Sequence, residues 1–255
     1  MKKHEEKKHY SDQGGENVVH MYTPFSLAVG DNYDYLRTKP WQAFRTAALH
    51  AVVVVLLRPF FFLNCGMIIR GKEKPKHLKG TGFVAVLNHV NVMDAPMAAC
   101  ALGFRRIYYV SAASNFCIPV IRHLIRGCGA VPLTSEASQV IRLFDEMEKA
   151  LKAGAIVQMY PEGVLIPYSD ELRPFKRGAF LMASQADVPV LPLVISYRRP
   201  RGLWRWLKKK PCLTLSVLEP VIPDSTLPLR DRTQKLQSDC RTAMEQQLQK
   251  SMTEQ

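Results

Sequence analysis

Six short apolar runs, separated by helical or turn-like segments, constrain this chain more than any other feature. "GTGFVAVLNH", "RRIYYVSA", "AVPLT", "AIVQMYPEG", "VPVLPLVISY" and "CLTLSVLEPVI" read as strands, rich in Val, Ile, Leu and Tyr and bounded by Gly, Pro or polar residues. Between them lie helical patterns. "APMAACALGF" starts behind Asp94, which suits an N-cap, with Pro96 in the first turn and Gly103 as its stop. "CIPVIRHLIRGCG" reads as a short helix, and "GAFLMASQAD" as another. "SEASQVIRLFDEMEKALKAG" is the clearest amphipathic helix, with Val140, Leu143, Phe144, Met147 and Leu151 on one face and Gly154 ending it. This alternation predicts an α/β fold, a mostly parallel sheet flanked by helices.

Around that core the sequence predicts three appendages. Residues 1–40 begin charged and polar and read as a solvated tail, not a secretory signal. Residues 41–70, "WQAFRTAALHAVVVVLLRPFFFLNCGMIIR", are the most apolar part of the chain, interrupted by Arg58-Pro59. A proline there ends or kinks a helix near Leu57, so the segment is expected to form a monotopic or re-entrant helical membrane anchor. Arg45, Arg58, Arg70 and Lys72 flank it as interfacial cations do, and a core hairpin is the competing reading. Residues 71–225 form the main domain, and 226–255 a polar C-terminal surface helix.

Charge and cysteine usage narrow the partners. The 255 residues carry 35 Lys and Arg against 22 Asp and Glu, a net +13, which favours anionic partners. No zinc spacing, helix-turn-helix or aromatic RNA-binding signature supports nucleic acid. Six scattered cysteines without a C-x-x-C suit reduced thiols in a cytoplasmic setting.

Two stretches carry chemistry. In "AVLNHVNVMDAP", His89 sits at the mouth of a strand and Asp94 follows at a helix start. In parallel sheets, sites collect at the carboxyl ends of strands. A carboxylate that orients an imidazole makes the other ring nitrogen a general base, although Asp94 as a simple cap and His89 as a loop residue remains the bland alternative. No G-x-S-x-G elbow is present, so the nucleophile would belong to the substrate. The second stretch, "MYPEGVLIPYSDELRPFKRGAF", presents a Pro-Glu-Gly turn after a strand, with Arg173, Lys176 and Arg177 in reach of an anion.

"NHVNVMD", "YPEG" and "VPVLPLVI", in that order and spacing, resemble the glycerolipid acyltransferase family, the 1-acylglycerol-3-phosphate acyltransferases and their tafazzin-like relatives. The resemblance runs from about Gly71 to Pro220. It implies that His89 and Asp94 are a catalytic dyad that deprotonates a lysolipid hydroxyl for attack on an acyl-CoA or acyl-carrier-protein thioester, with no acyl-enzyme, cofactor or metal. It places Tyr160, Pro161, Glu162 and Gly163 in the acceptor-binding site and Pro192 in a motif whose role is structural or acyl-binding. Arg173 and Lys176 are added as phosphate contacts on charge and proximity alone.

One departure stands out. Between the dyad and the Pro-Glu-Gly turn, the family usually ends a Gly-containing strand with an arginine that grips the acceptor phosphate, where "GCGAVPLTSE" offers Thr134 and Ser135. Arg126, Arg173, Lys176 or Arg198 would have to compensate, or the acceptor lacks a terminal phosphate. Trp204 and Trp206 among the cations of "YRRPRGLWRWLKKKP", with Trp41 and Arg58, are expected membrane contacts. The implied partners are a phospholipid surface on its cytoplasmic face, a lysophospholipid acceptor and an acyl donor. The alternatives are a CoA-independent transacylase and a non-catalytic lipid-binding protein.

Overall fold

A computed structural model describes residues 29–30, 33–208 and 210–253. Its elements in chain order are α1 (Pro40–Cys65), β1 (Ile68–Arg70), β2 (Phe83–Leu87), α2 (Asp94–Leu102), β3 (Ile107–Ala112), α3 (Ile121–Gly127) and β4 (Ala130–Leu133). There follow α4 (Ala137–Lys152), β5 (Ile156–Met159), α5 (Gly178–Ala186), β6 (Val190–Arg198), α6 (Leu203–Leu207), β7 (Cys212–Val217) and α7 (Leu229–Thr253). Seven strands form one sheet in the order β1-β7-β6-β2-β5-β3-β4, parallel throughout except for the β6–β7 pair. The six expected strands are present. The seventh, β1, is three residues long and too short to read against the apolar helix before it.

Side-chain alternation in β2 divides the interior. Val84 and Val86 face a cluster closed by Leu143, Met147 and Leu151 of α4, Phe180 and Ala183 of α5, and Leu236, Met244 and Leu248 of α7. Phe83, Ala85 and Leu87 face the other side, covered by Met97 and Ala98 of α2 and by Val54 and Phe61 of α1. Because β2 is central and buried at every position, it reads as an unbroken apolar run.

The expected appendages need correction. Most of the polar tail lies outside the described residues, but residues 33–37 are docked. Tyr35 is buried, Arg142 donates to the Tyr33 carbonyl at 2.9 Å, and the Tyr108 hydroxyl donates to the Leu36 carbonyl at 2.9 Å. The anchor segment is not a helical pair. It is one 26-residue helix that continues through Pro59 and stops at Gly66, where the Met67 N–H donates to the Phe61 carbonyl at 3.1 Å. A proline deletes one backbone donor, which the rest of a long helix tolerates at an outward-facing position such as Pro59. Residues 68–70 leave the anchor as β1 and pair with Thr214–Ser216. Finally, α7 is no appendage, because Leu236, Cys240, Met244 and Leu248, spaced by four, bury one stripe of an otherwise polar helix.

Candidate functional site

The strands β2 and β5 lie side by side and parallel, with Val86 opposite Met159. The chain leaves both at the same end, into the His89 loop and the Tyr160–Gly163 turn. Neighbouring strands therefore deliver the two motifs to one place.

Asn88 fixes the first loop. Its amide donates to the Ile195 carbonyl at 2.9 Å and accepts from the Ile195 N–H at 2.8 Å, continuing the β2–β6 ladder by side chain after the backbone has turned away. Tyr197 donates its hydroxyl to the Val90 carbonyl at 3.3 Å. Neither residue was singled out from the sequence. Asn88 is adjacent to His89, and its fully buried polar side chain could have been found only with the β6 register known.

The imidazole of His89 donates from Nδ1 to Oδ2 of Asp94 at 2.9 Å. The same oxygen accepts from the backbone N–H groups of Val90, at 2.8 Å, and Asn91, at 2.9 Å. Asp94 is thus not an N-cap. It is the first residue of α2, and its carboxylate makes no cap bond to the helix but turns back to close the preceding loop. Burial pushes the Asp94 carboxyl up from the usual range, while the His89 hydrogen bond and the two backbone donors pull it down. With Nδ1 committed to Asp94, Nε2 is left to exchange a proton with a ligand. The Tyr160 ring stacks on the imidazole at 3.9 Å between centroids, 15° from parallel, and fixes the ring plane.

The Pro-Glu-Gly turn has a different character. Glu162 is 4 % exposed, and the backbone N–H groups of His89 and Arg173 face its carboxylate. Burial pushes it up to about 7, against those donors and the Arg173 guanidinium. Glu162 therefore ties the His89 loop to the 163–176 segment. That segment makes further ties, from the Ile166 N–H to the His89 carbonyl at 3.0 Å and from the Lys176 N–H to the Pro161 carbonyl at 2.7 Å. Gly163 has φ +70°, and a Cβ there would lie 2.6 Å from Nζ of Lys176, so the lysine side chain lies across the turn.

The other expected residues separate into groups. Arg173 and Lys176 belong to the turn. Arg126 is spoken for elsewhere, with its guanidinium 4.7 Å from the Tyr33 ring centroid, and Arg198 donates to the Gly66 carbonyl at 2.5 Å. Pro192 is buried in β6 opposite Val86, on the sheet face of Val190 and Val194, away from the stacked His89–Tyr160 pair. Trp41 is exposed beside Arg45, Trp204 packs edge-on to Phe62 at 5.5 Å, and Trp206 is 82 % exposed. Among the described residues no group of three or more His, Cys, Asp or Glu is placed to hold a metal ion.

The chain is 37 % identical over 117 residues to a chloroplastic 1-acyl-sn-glycerol-3-phosphate acyltransferase of Brassica napus, covering 45 % of this chain and 33 % of that protein. It is 30 % identical over 165 residues to the human 1-acyl-sn-glycerol-3-phosphate acyltransferase beta, covering 63 % of this chain and 58 % of that protein. It thus spans between a third and three-fifths of the length of these relatives. The crystal structure of the Thermotoga maritima 1-acyl-sn-glycerophosphate acyltransferase PlsC shares the fold, with a TM-score of 0.60 and 18 % identity over 85 % of this chain and 84 % of that one. A family model described as Acyltransferase matches residues 67–196, just over half the chain and the whole span from β1 to the end of the His89–Glu162 site, and the chain belongs to that family.

Proposed function

We propose that this chain is a membrane-associated O-acyltransferase that moves a fatty acyl group from a thioester donor to the free hydroxyl of 1-acylglycerol-3-phosphate or a related lysophospholipid. The observation that carries this reading is the Nδ1–Asp94 hydrogen bond, which leaves Nε2 of His89 as an oriented base beside a strand end. Nε2 takes the hydroxyl proton as the substrate oxygen attacks the thioester carbonyl. The new C–O bond forms, the C–S bond breaks, and the imidazolium returns the proton to the departing thiolate. Asp94 stabilises the imidazolium between those steps. Arg173 and Lys176, on the segment that follows the Pro-Glu-Gly turn, supply positive charge for an acceptor phosphate.

Membrane association is supported by α1. It is long and apolar enough to cross a membrane, yet only 22 % of its most apolar stretch is buried, along the stripe Thr46, His50, Val54 and Phe61. Phe44, Val52, Val55, Leu56, Phe62 and Leu63 are left facing outward, more apolar surface than a water-exposed helix carries. Six free cysteines suit the reducing, cytoplasmic side.

The test is turnover in mixed micelles with labelled acyl-CoA or acyl-carrier protein and a panel of lysolipids, with His89→Ala alongside. Label in one acylated acceptor, lost in the variant, supports the reading and names the acceptor. Label moving only from a phospholipid donor replaces it with a transacylase. Vesicle binding without transfer from any donor overturns it in favour of a lipid-binding role.

A further inference from the structure

Between the C-terminal half of α1 and the edge strand β1 lies a groove of about 500 Å³, lined by Arg58, Pro59, Phe62, Met67, Ile68, Ile69 and Lys72. Its walls are aliphatic and aromatic, but it carries two cations. Arg58 and Lys72 are close enough to repel: burial holds the Lys72 ammonium below its usual range and Arg58 adds to the effect. Both also act on the Cys100 thiol, which burial pushes up to about 11 and the two cations pull down. Cys100 lies at the far end of α2, six residues and roughly 9 Å of helix rise from Asp94. Among the described residues no acidic side chain lies within ion-pair distance of either cation, although Glu73 adjoins Lys72 in sequence.

Placing two like charges together at an apolar groove has a cost, because Lys72 loses part of its hydration there and the exposed Arg58 repels it. A compact anion between them removes the repulsion, and the groove asks that the anion carry an apolar body. The groove also opens beside the outward apolar residues Phe60, Phe62 and Leu63. We propose that this groove seats an acidic phospholipid, its phosphate between Arg58 and Lys72 and an acyl chain along Phe62, Met67 and Ile69. The proposal rests on the reading that α1 meets lipid, but not on catalysis. The seat is separate from the His89 site and serves to dock the protein where anionic lipid is present.

The experiment is vesicle co-flotation of the full chain, with phosphatidylcholine alone or mixed with phosphatidic acid or phosphatidylglycerol. Arg58→Gln/Lys72→Gln is compared with Lys152→Gln/Lys235→Gln, a charge-matched control on α4 and α7, helices of the opposite sheet face. Preference for acidic vesicles should fall roughly 30-fold in the first variant, from about tenfold or less per cation, and hold in the control. Equal losses in both variants would assign the preference to diffuse charge and overturn the seat. Neutral and acidic vesicles bound alike by the unaltered chain would overturn it too, leaving the membrane reading intact. No flotation with any vesicle would overturn both. Soluble glycerol 3-phosphate serves as competitor: displacement at concentrations matching the lipid phosphate would show a headgroup site without an acyl contribution, and would sink the lipid assignment.

Discussion

The His89 loop and the Pro-Glu-Gly turn each bring one buried carboxylate to the same end of the sheet, and the two are handled differently. Asp94 gathers three donors on one oxygen, one of them the imidazole, so its charge has a partner that can itself gain a proton. Glu162 faces only backbone N–H groups and a nearby guanidinium, and its carboxyl titrates near neutrality. Burial raises both groups, and what differs is whether the compensating donor is chemically active. The first loop thereby pairs its carboxylate with a ring that can gain and lose a proton. The second is fitted to hold the first in place.

If that contrast is sound, substitutions in the two loops should separate activity from stability. The largest effect is expected for His89→Ala, a fall in acyl transfer of about 10³–10⁴-fold with the thermal transition little changed, read in the micelle assay and by circular dichroism. Asp94→Asn should follow at about 10²–10³-fold, because the amide can still accept from the loop but no longer stabilises an imidazolium. An Asp94→Asn enzyme that retains full activity would end the view that the carboxylate does more than shape the loop. Asn88→Ala leaves the Ile195 N–H and carbonyl without buried partners and should cost about 2–4 kcal/mol in denaturant unfolding, with any surviving folded enzyme slowed through the displaced loop.

Glu162 sharpens the comparison through pH. Its carboxyl in the folded chain lies above that in the unfolded chain, so the folded state holds the proton between about 4.5 and about 7 while the unfolded state has lost it. Stability should therefore fall as pH rises through that window, by up to about 3 kcal/mol, and Glu162→Gln should flatten the fall. Unfolding midpoints at pH 5 and pH 8 decide it. The smallest effect is expected for Gly163→Ala, about 1 kcal/mol from the positive φ, with the Lys176 side chain displaced and KM for a phosphate-bearing acceptor raised more than kcat is lowered.

Much of this was legible in the chain. The strand β2 announces itself because both its faces are buried, and α4 because its apolar residues repeat at helical spacing against charge. The motif residues His89, Asp94, Glu162 and Gly163 are readable because their side-chain types are out of place at the ends of apolar runs. β1 was not legible, since three residues following a 26-residue apolar helix carry no period of their own. The docking of α7 was missed because four buried apolar residues in 25 are few, although their spacing of four is regular.

The sequence by itself determined which segments become strands and helices, because apolar period and turn chemistry are local. It also determined which residues could do proton chemistry, because that is a property of side-chain type. Only the tertiary structure decided that Asp94 turns away from its own helix toward His89, that Glu162 is buried as a tie between loops, and that Arg58 and Lys72 share a groove. Each of those is a choice of partner. Partners are set by which strands lie side by side and which helix packs over them, and that depends on contacts far apart along the chain.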